Sequence, residues 1–229
     1  MTNHALTLDS QIEVHPLSLG TSRAYLLASR AGLYLVDAGV PRQEKRILRA
    51  MQSLDRDDLR LIFITHAHFD HYGSAAALQE ITGAKIAIHH ADADAMARGD
   101  TILGETRGRG RLVGPFLPFA EFVIGISPTP ADLLLDDGDS LADWGLDATL
   151  LHTPGHTPGS SCLLVDGGLA FVGDLLTAGR RPHAQRFYAD DWSQIPASIA
   201  RLDAAGPERV FAGHGEQVLA GAQVRDLLR

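Results

Sequence analysis

Four side chains that can bind a metal ion fall within six residues of this sequence: His66, His68, Asp70 and His71. They follow an apolar run at 61–64 that is typical of a buried strand. Side chains two positions apart in an extended segment point the same way, so His66 and His68 can reach one ion. Asp70 and His71 fall where the chain must turn, and they can reach a second ion. Imidazole and carboxylate groups suit zinc well, and manganese or iron less specifically.

The close spacing of these histidines argues against a chance polar loop, which is the alternative interpretation of the segment. Imidazoles crowded together repel one another when protonated and waste hydrogen-bonding capacity when buried. A divalent cation removes both costs. The segment therefore predicts a metal site at the end of a strand.

Other motifs of the chain contain further candidate ligands. His156 lies in Thr-Pro-Gly-His-Thr-Pro-Gly, Asp174 ends Phe-Val-Gly-Asp, and His214 lies in Phe-Ala-Gly-His-Gly. Upstream of them all, Asp37 lies in Val-Asp-Ala-Gly. Together with the first cluster, the order of these motifs resembles the metallo-β-lactamase-fold hydrolases over nearly the whole chain. Spaced motifs in the right order are a specific signal, whereas a single His-x-His would be weak.

The resemblance implies an αββα sandwich with two divalent metal ions at one edge of its two sheets. Zinc is the expected metal, with manganese or iron as alternatives. Asp174 is expected to bridge the ions, and Asp37 to support the ligands from behind. The implied ligands are His66, His68 and His156 for one ion, and Asp70, His71 and His214 for the other.

Two ions that share a water lower its pKa from near 16 to about 7, which produces a bridging hydroxide at neutral pH. This hydroxide is the expected nucleophile, and Asp70 is expected to orient it and to handle its proton. Tyr188 is the candidate donor to the oxyanion. Cys162 is interpreted as a small core residue rather than as a nucleophile. The expected reaction is hydrolysis of an ester-like bond: a thioester, a lactone or a carboxylic ester.

Several alternatives stay open within and beyond this reaction. Glyoxalase II-type thioesterases carry a helical region after the last ligand, whereas this sequence ends 15 residues after His214. Acyl-homoserine lactonases have a tyrosine shortly after the bridging aspartate, where this chain has Leu-Leu-Thr-Ala. True dinuclear β-lactamases generally lack that aspartate. A phosphodiesterase or RNA-processing nuclease, a mononuclear iron persulfide dioxygenase and a non-catalytic metal-binding protein are the other candidates.

The composition is that of an ordinary globular protein. The chain has 229 residues, 45% of them hydrophobic and 21% charged, so one domain over 1–229 is expected. A net charge of −8 argues against nucleic-acid binding, and a small-molecule substrate is expected instead. The single cysteine excludes an intrachain disulfide. With no signal peptide and no long apolar stretch in the sequence, the cytoplasm is the expected compartment and no membrane association is expected.

Hydrophobic periodicity and turn residues predict alternating strands and helices in both halves of the chain. We predict strands at 11–14, 25–28, 33–36, 61–64, 84–89, 148–151, 161–165, 169–172 and 210–212. We predict helices from Pro41 through Leu54 and at 73–81, 91–98, 193–204 and 218–228.

The segment 99–139 breaks this alternation. It is predicted either to form a lid or substrate wall, or to be a solvated insertion. In the second case its aromatic side chains, Phe116, Phe119 and Phe122, only pack onto the core.

Other polar residues have both a functional and an ordinary interpretation. Three arginines can line the pocket and receive a carboxylate or phosphate, or can form a solvated face: Arg180, Arg181 and Arg186. His152 can support the ligands or can simply end a strand. His89 and His90 are interpreted as packing or surface groups.

Overall fold

The computed structural model describes residues 12–102, 104–108, 110–113 and 125–227. The first half contains strands β1 Glu13–Leu19, β2 Ser22–Ala28, β3 Leu33–Val36, β4 Leu59–Ile64, β5 Lys85–His89, β6 Glu105–Thr106 and β7 Leu133–Leu135. Its helices are α1 Glu44–Ser53, α2 Phe69–Tyr72, α3 Ala75–Thr82, α4 His90–Arg98 and α5 Gly110–Val113.

The second half begins with a short 3-10 helix at Ala142–Trp144. Its strands are β8 Ala148–His152, β9 Ser161–Val165, β10 Leu169–Phe171, β11 Leu176–Ala178, β12 His183–Ala184, β13 Tyr188–Ala189, β14 Arg209–Phe211, β15 His214–Gly215 and β16 Leu219–Ala220. Its helices are α6 Ile195–Ala205 and α7 Gly221–Asp226.

Two larger sheets form the centre of the structure. The first has the strand order β1-β2-β3-β4-β5-β7, and the second has the order β16-β14-β10-β9-β8. In the first sheet, β3, β4, β5 and β7 pair in parallel. Nearly every residue of β3, β4 and β5 is buried, which is expected of parallel strands covered on both faces.

Three apolar layers show that the two sheets lie between helices. The layer between the sheets includes Tyr25, Phe63, Leu163, Phe171 and Phe211. A second layer joins the first sheet to α1, α3 and α4, and includes Leu35, Ile62, Ile47, Leu78 and Met96. A third joins the second sheet to α6 and α7, and includes Ala170, Val210, Ile199, Leu202 and Val224. The predicted αββα sandwich is confirmed.

Each segment that carries candidate ligands begins where a strand ends. Residues 65–71 follow β4, 153–160 follow β8, 172–174 follow β10 and 212–214 follow β14. The segments are held together across the two halves by backbone hydrogen bonds. Ser161 N–H donates to the Thr65 carbonyl over 3.0 Å, and Arg23 N–H donates to the Gly213 carbonyl over 2.8 Å. The sandwich therefore brings distant parts of the sequence to one edge.

Two predicted elements at the ends of the chain differ from the structure. The first strand was expected to end at Val14 but continues to Leu19 through Pro16. Proline is tolerated there because β1 is an edge strand of its sheet. The predicted closing helix at 218–228 is wrong at its start, because Leu219–Ala220 pairs with β14 and the helix occupies only Gly221–Asp226.

The middle of the chain also differs in detail. The predicted helix at 73–81 is observed as α3 but begins two residues later, at Ala75, and the short helix α2, which was not predicted, precedes it. No element was predicted in 99–139, yet β7 pairs with β5 and completes the first sheet. The end of that segment therefore belongs to the sandwich. Phe116, Phe119 and Phe122 lie outside the described residues, and a lid formed by this segment stays a prediction. None of the described helices combines the length and apolar character needed to cross a lipid bilayer.

The buried hydroxyl of Tyr25 joins the two sheets at Ala212, two residues before His214. It donates to the Ala212 carbonyl over 2.7 Å, and its ring packs against Phe171 and Phe211. We expect Tyr25→Phe to lower the free energy of unfolding by about 1–3 kcal/mol, because the Ala212 carbonyl would be left buried without a donor. Urea unfolding at constant metal content measures this loss.

Tyr34→Phe is the matched control. The Tyr34 hydroxyl donates to the carbonyl of Trp144 at a partly exposed place, where water can replace it. Its loss should cost less than about 1 kcal/mol. Equal losses for the two variants would show that the hydroxyl of Tyr25 does not join the sheets as described.

Candidate metal centre

The first group of candidate donors consists of three buried histidines whose ring nitrogens converge. The Nε2 of His156 lies 3.2 Å from Nε2 of His66 and 3.1 Å from Nδ1 of His68. The carboxylate of Asp174 is 3.5 Å from the same nitrogen. His66 and His68 both face His156, but the segment between them is bent rather than extended as predicted, since His68 N–H donates to the His66 carbonyl over 3.0 Å.

The outer nitrogen of each ring indicates where its proton lies. The Nε2 of His68 is 2.7 Å from the Ile102 carbonyl, and Nδ1 of His156 is 2.9 Å from the Tyr188 carbonyl. A carbonyl only accepts, so both of these outer nitrogens carry hydrogen. The Gln185 amide nitrogen, 3.1 Å from Nδ1 of His156, is the longer of that atom's two contacts. The inner nitrogens of the neutral rings are therefore unprotonated.

His66 reaches the same state through a hydroxyl. The Thr65 hydroxyl is 3.0 Å from both oxygens of Asp37, to which it donates, so it accepts from Nδ1 of His66 at 3.0 Å. Its inner Nε2 is then unprotonated as well. Three nitrogen lone pairs thus face one another with no hydrogen between them, which is the arrangement that a bound cation requires. This donor set fits a divalent metal ion.

Burial keeps these rings neutral. Desolvation, with a further contribution from the neighbouring histidines, lowers the pKa of His156 to about 3. The same two causes hold the pKa of His66 well below its usual value. Burial likewise lowers the pKa of His68. At neutral pH the first group therefore offers neutral imidazoles.

The second group, Asp70, His71 and His214, lies on the other side of Asp174. The Nε2 atoms of His71 and His214 are each 3.3 Å from Oδ1 of Asp174. His214 Nε2 is also 3.6 Å from Oδ2 of Asp70, and His71 Nε2 is 3.9 Å from its Oδ1. Among the described residues, His71 Nε2 and Asp174 Oδ1 are buried polar atoms without a hydrogen-bond partner. A second cation between them would satisfy both.

Negative charge dominates this second group. The Asp174 carboxylate raises the pKa of His214 to about 9. Burial opposes protonation of His71, but the carboxylates of Asp37 and Asp174 outweigh it and hold the pKa of His71 well above its usual value. His214 and His71 in turn keep the pKa of Asp174 well below its usual value against the effect of burial. The carboxylates therefore attract positive charge to this position.

Asp37 lies behind the candidate ligands. It is 2% exposed, and its carboxylate accepts from the backbone N–H and the hydroxyl of Thr65 and from Nδ1 of His71 at 2.8 Å. Its φ of 59° lies in the left-handed region, which aspartate tolerates better than most residues. Asp37 thus fixes the ring orientation of His71 and, through Thr65, that of His66.

Asp92 is a buried carboxylate that sequence reasoning missed. It is 0% exposed and accepts hydrogen bonds from Ala67 N–H, Gly159 N–H and the Thr157 hydroxyl over 2.9, 2.6 and 2.7 Å. Ala67 lies between two of the histidines, and Thr157 directly follows His156. In the sequence, Asp92 resembles an ordinary acidic residue in the first turn of a helix, so nothing there signals this contact.

The turn between β1 and β2 supplies a second set of contacts that the sequence did not indicate. The Thr21 hydroxyl donates to Oδ2 of Asp70 over 3.1 Å, and the Thr21 carbonyl accepts from Nδ1 of His214 over 2.9 Å. The Ser22 hydroxyl donates to the Asp70 carbonyl. This turn therefore positions one candidate ligand from each half of the chain.

The remaining predicted residues are placed around the centre. The Tyr188 carbonyl holds His156, whereas its hydroxyl has no hydrogen-bond partner within the described part of the chain. Burial raises the pKa of the Cys162 thiol to about 12, which fits a small core residue. His152 stacks on His89 with ring centroids 4.0 Å apart, and its Nε2 contacts the Pro158 carbonyl. It therefore contacts the loop of His156 rather than a candidate ligand.

A third group of possible metal donors comprises His89, His90 and Asp136. His90 and Asp136 are exposed, and His90 Nδ1 is 2.6 Å from the Asp136 carboxylate. The Nδ1 of His89 accepts the Ala91 N–H at the start of α4. Packing and surface roles, as expected from the sequence, account for these contacts.

Two proteins with hydrolase names are similar to this chain in sequence. The chain is 36% identical over 165 residues to human acyl-coenzyme A thioesterase MBLAC2, which covers 67% of this chain and 55% of that protein. It is 34% identical over 121 residues to hydroxyacylglutathione hydrolase of Cereibacter sphaeroides, which covers 52% of this chain and 35% of that protein. The chain thus spans about half the length of the thioesterase that it matches.

The fold is also found in solved structures. The crystal structure of TTHA1623 in a di-iron-bound form superimposes with a TM-score of 0.69 at 28% identity, over 91% of this chain and 96% of that one. The sequence model of the metallo-beta-lactamase superfamily matches residues 17–214 of this chain. With these matches, and with the sandwich and the two groups of donors at its edge, this chain belongs to the metallo-β-lactamase superfamily.

Proposed function

We propose that this chain is a dinuclear metal-dependent hydrolase that cleaves thioesters. The observation that carries the proposal is the convergence of unprotonated imidazole nitrogens beside a second group of donors: His156 Nε2 lies 3.2 Å from His66 Nε2 and 3.1 Å from His68 Nδ1. The thioester class rests on the relatives, since both the human and the bacterial protein are named for hydrolysis of a thioester. We propose zinc as the metal, with iron as the alternative because of the di-iron relative.

The two groups would each hold one ion, and Asp174 would hold both. Its Oδ2 faces His156 in the first group, while its Oδ1 faces His71 and His214 in the second. A carboxylate with one oxygen directed to each group suits a bridging ligand. When bound, the ions supply an activated water at neutral pH and polarise the substrate carbonyl.

The protein's own residues would orient the attack and carry the proton. Asp70 is held by the hydroxyls of Thr21 and Ser22, which leaves its Oδ1 to take a proton from the attacking water. We assign the Tyr188 hydroxyl as the donor to the carbonyl oxygen, because its hydrogen-bonding capacity is free among the described residues. A thiolate leaving group has a conjugate acid with a pKa of roughly 8.5, so the reaction needs no strong acid.

A substrate panel tests this proposal. Metal-loaded protein is assayed against acyl-coenzyme A, acylglutathione, an acyl-homoserine lactone and a phosphodiester. We expect thioester turnover to exceed that of the lactone and the phosphodiester by roughly tenfold or more in kcat/KM. A preference for the phosphodiester, or oxygen consumption in place of hydrolysis, would refute the proposal.

Removal of the bridging carboxylate should abolish turnover without unfolding the chain. In Asp174→Ala the two groups lose their shared ligand, while the apolar layers of the sandwich remain unchanged. We expect less than about a tenth of wild-type kcat, which corresponds to a barrier increase above roughly 1.4 kcal/mol. Asp166→Ala, which removes an exposed carboxylate in the turn after β9, is the control and should retain full activity. Retention of activity in Asp174→Ala, with an unchanged circular dichroism spectrum, would exclude the bridging role.

Loss of the Asp92 carboxylate should weaken metal binding, although Asp92 is not a candidate ligand. Asp92 accepts from two backbone N–H groups, and in asparagine one of the two accepting oxygens is replaced by an NH2 group that can only donate. One backbone N–H then loses its acceptor, and the histidine segments attached there should shift. We expect Asp92→Asn to lower metal affinity by roughly 10- to 100-fold, the range found for residues that hold ligands in place. Competition with a chromogenic chelator measures the affinity. Asp94→Asn changes an exposed residue of the same helix and should bind metal normally; equal affinities in both variants would contradict this role for Asp92.

A further inference from the structure

Two arginine-bearing segments flank the candidate centre. One is the pair of strands β6 and β13, in which Tyr188 pairs with Thr106. The other is the turn between β11 and β12, which carries Arg180 and Arg181. We name the five arginines of these segments the arginine rim: Arg107, Arg111, Arg180, Arg181 and Arg186.

The first segment is attached directly to a candidate ligand. The Phe187 carbonyl accepts from Arg107 N–H over 2.9 Å, and the next carbonyl along the chain, that of Tyr188, accepts from His156. Arg186 precedes this pair of carbonyls. Arg186 therefore lies two residues before the carbonyl that contacts His156, and the backbone of Arg107 is hydrogen-bonded to the residue between them.

The second segment is attached to the other group. In β11, Thr177 pairs with His214 and Ala178 pairs with Gly215. The strand then turns at Arg180 and Arg181 before it returns as β12. A segment with exposed arginines is thus attached to each of the two groups of donors.

The charges of the rim are poorly balanced within the protein. The segments 105–111 and 179–188 contain a single acidic residue, Glu105, which is 3.4 Å from Arg107. In the part of the chain that the structure describes, the other rim arginines have no carboxylate within ion-pair distance. This local excess of positive charge stands out because the whole chain has a net charge of −8. Guanidinium groups without a carboxylate partner suit phosphate oxygens, which they bind through paired N–H donors.

Aromatic rings accompany two of these arginines. The guanidinium of Arg107 lies 4.5 Å from the Trp192 ring centroid, and that of Arg186 lies 5.1 Å from that of Phe187. Stacking of this kind orients a guanidinium while leaving its edge free to donate. A planar heterocycle next to the phosphates would find aromatic surface at the same place.

We infer that the arginine rim binds the phosphate groups of a nucleotide-bearing thioester, of the acyl-coenzyme A type, while its thioester reaches the metals. This assignment rests on the proposed thioesterase function and specifies its substrate. It distinguishes a phosphate-bearing carrier from glutathione, which has carboxylates but no phosphate. The rim acts on binding and not on the bond that breaks.

Calorimetry with coenzyme A and pantetheine tests the assignment without turnover. Both probes end in the same thiol, so their difference in affinity reports the nucleotide portion alone. We expect coenzyme A to bind the metal-loaded protein at least roughly tenfold more tightly, with the difference decreasing as salt is raised from low to high concentration. Equal affinities for the two probes would overturn the assignment.

Variants locate the effect within the rim. Arg181→Gln and Arg186→Gln should each weaken coenzyme A binding by roughly three- to fivefold, and the double variant by roughly tenfold or more, with pantetheine unaffected. In hydrolysis assays KM for acyl-coenzyme A should increase while kcat stays constant. Arg49→Gln, which changes an exposed arginine of α1, is the control. If the double variant binds both probes as the wild type does, the arginines do not bind phosphate.

The assays separate failure of this assignment from failure of the proposed function. Hydrolysis of acyl-pantetheine and acyl-coenzyme A with equal KM would support the thioesterase function and refute phosphate binding by the arginine rim. A lower KM for acylglutathione than for acyl-coenzyme A would also refute phosphate binding by the arginine rim. If no thioester is hydrolysed but coenzyme A binding still depends on Arg181 and Arg186, phosphate binding by the arginine rim is supported and the proposed thioesterase function is refuted.

Discussion

Three imidazole nitrogens without hydrogens face one another inside the protein, and this contact determines what the rest of the structure must do. The Nε2 of His156 lies 3.2 Å from Nε2 of His66 and 3.1 Å from Nδ1 of His68, and all three side chains are buried. Repulsion between lone pairs and the loss of hydration make such an arrangement costly unless a cation occupies it. The outer nitrogens are each held by an acceptor, so the rings cannot simply turn to avoid one another.

The αββα sandwich provides the rigidity that this arrangement needs. Each candidate ligand segment leaves the end of a buried strand, and contacts across the two halves tie the segments together. Asp92 connects the first histidine segment to the segment after His156, and the turn at Thr21 connects Asp70 to His214. Coupling between such partners implies that metal affinity depends on residues that do not touch the ion. Stability and metal binding should be linked for the same reason, because bound ions would stabilise only the folded state.

The sequence motifs point to the groups of candidate donors and to Asp37 behind them, but not to Asp92 or to the turn at Thr21. His66 and His68 follow an apolar strand closely enough for their approach to one ion to be predicted, with His71 assigned to a second, and Asp174 contacts both groups of donors. Asp92 could not be found in this way, since its partners are backbone N–H groups that carry no sequence signal. The full length of β1 was not predicted because proline is tolerated within a strand only at a sheet edge, and the sequence does not show that Pro16 lies at one. Leu219 looked helical, although pairing with Val210 determines its conformation.

The central claim is that two groups of donors on either side of Asp174 hold two ions. Metal stoichiometry tests it most directly. The wild-type chain is saturated with zinc, freed of loosely bound ions by dialysis and analysed for metal and protein content. The geometry predicts two equivalents per chain, decreasing to one when His71 and His214 are both replaced by alanine. One equivalent in the wild type, unchanged in that double variant, would contradict a dinuclear centre.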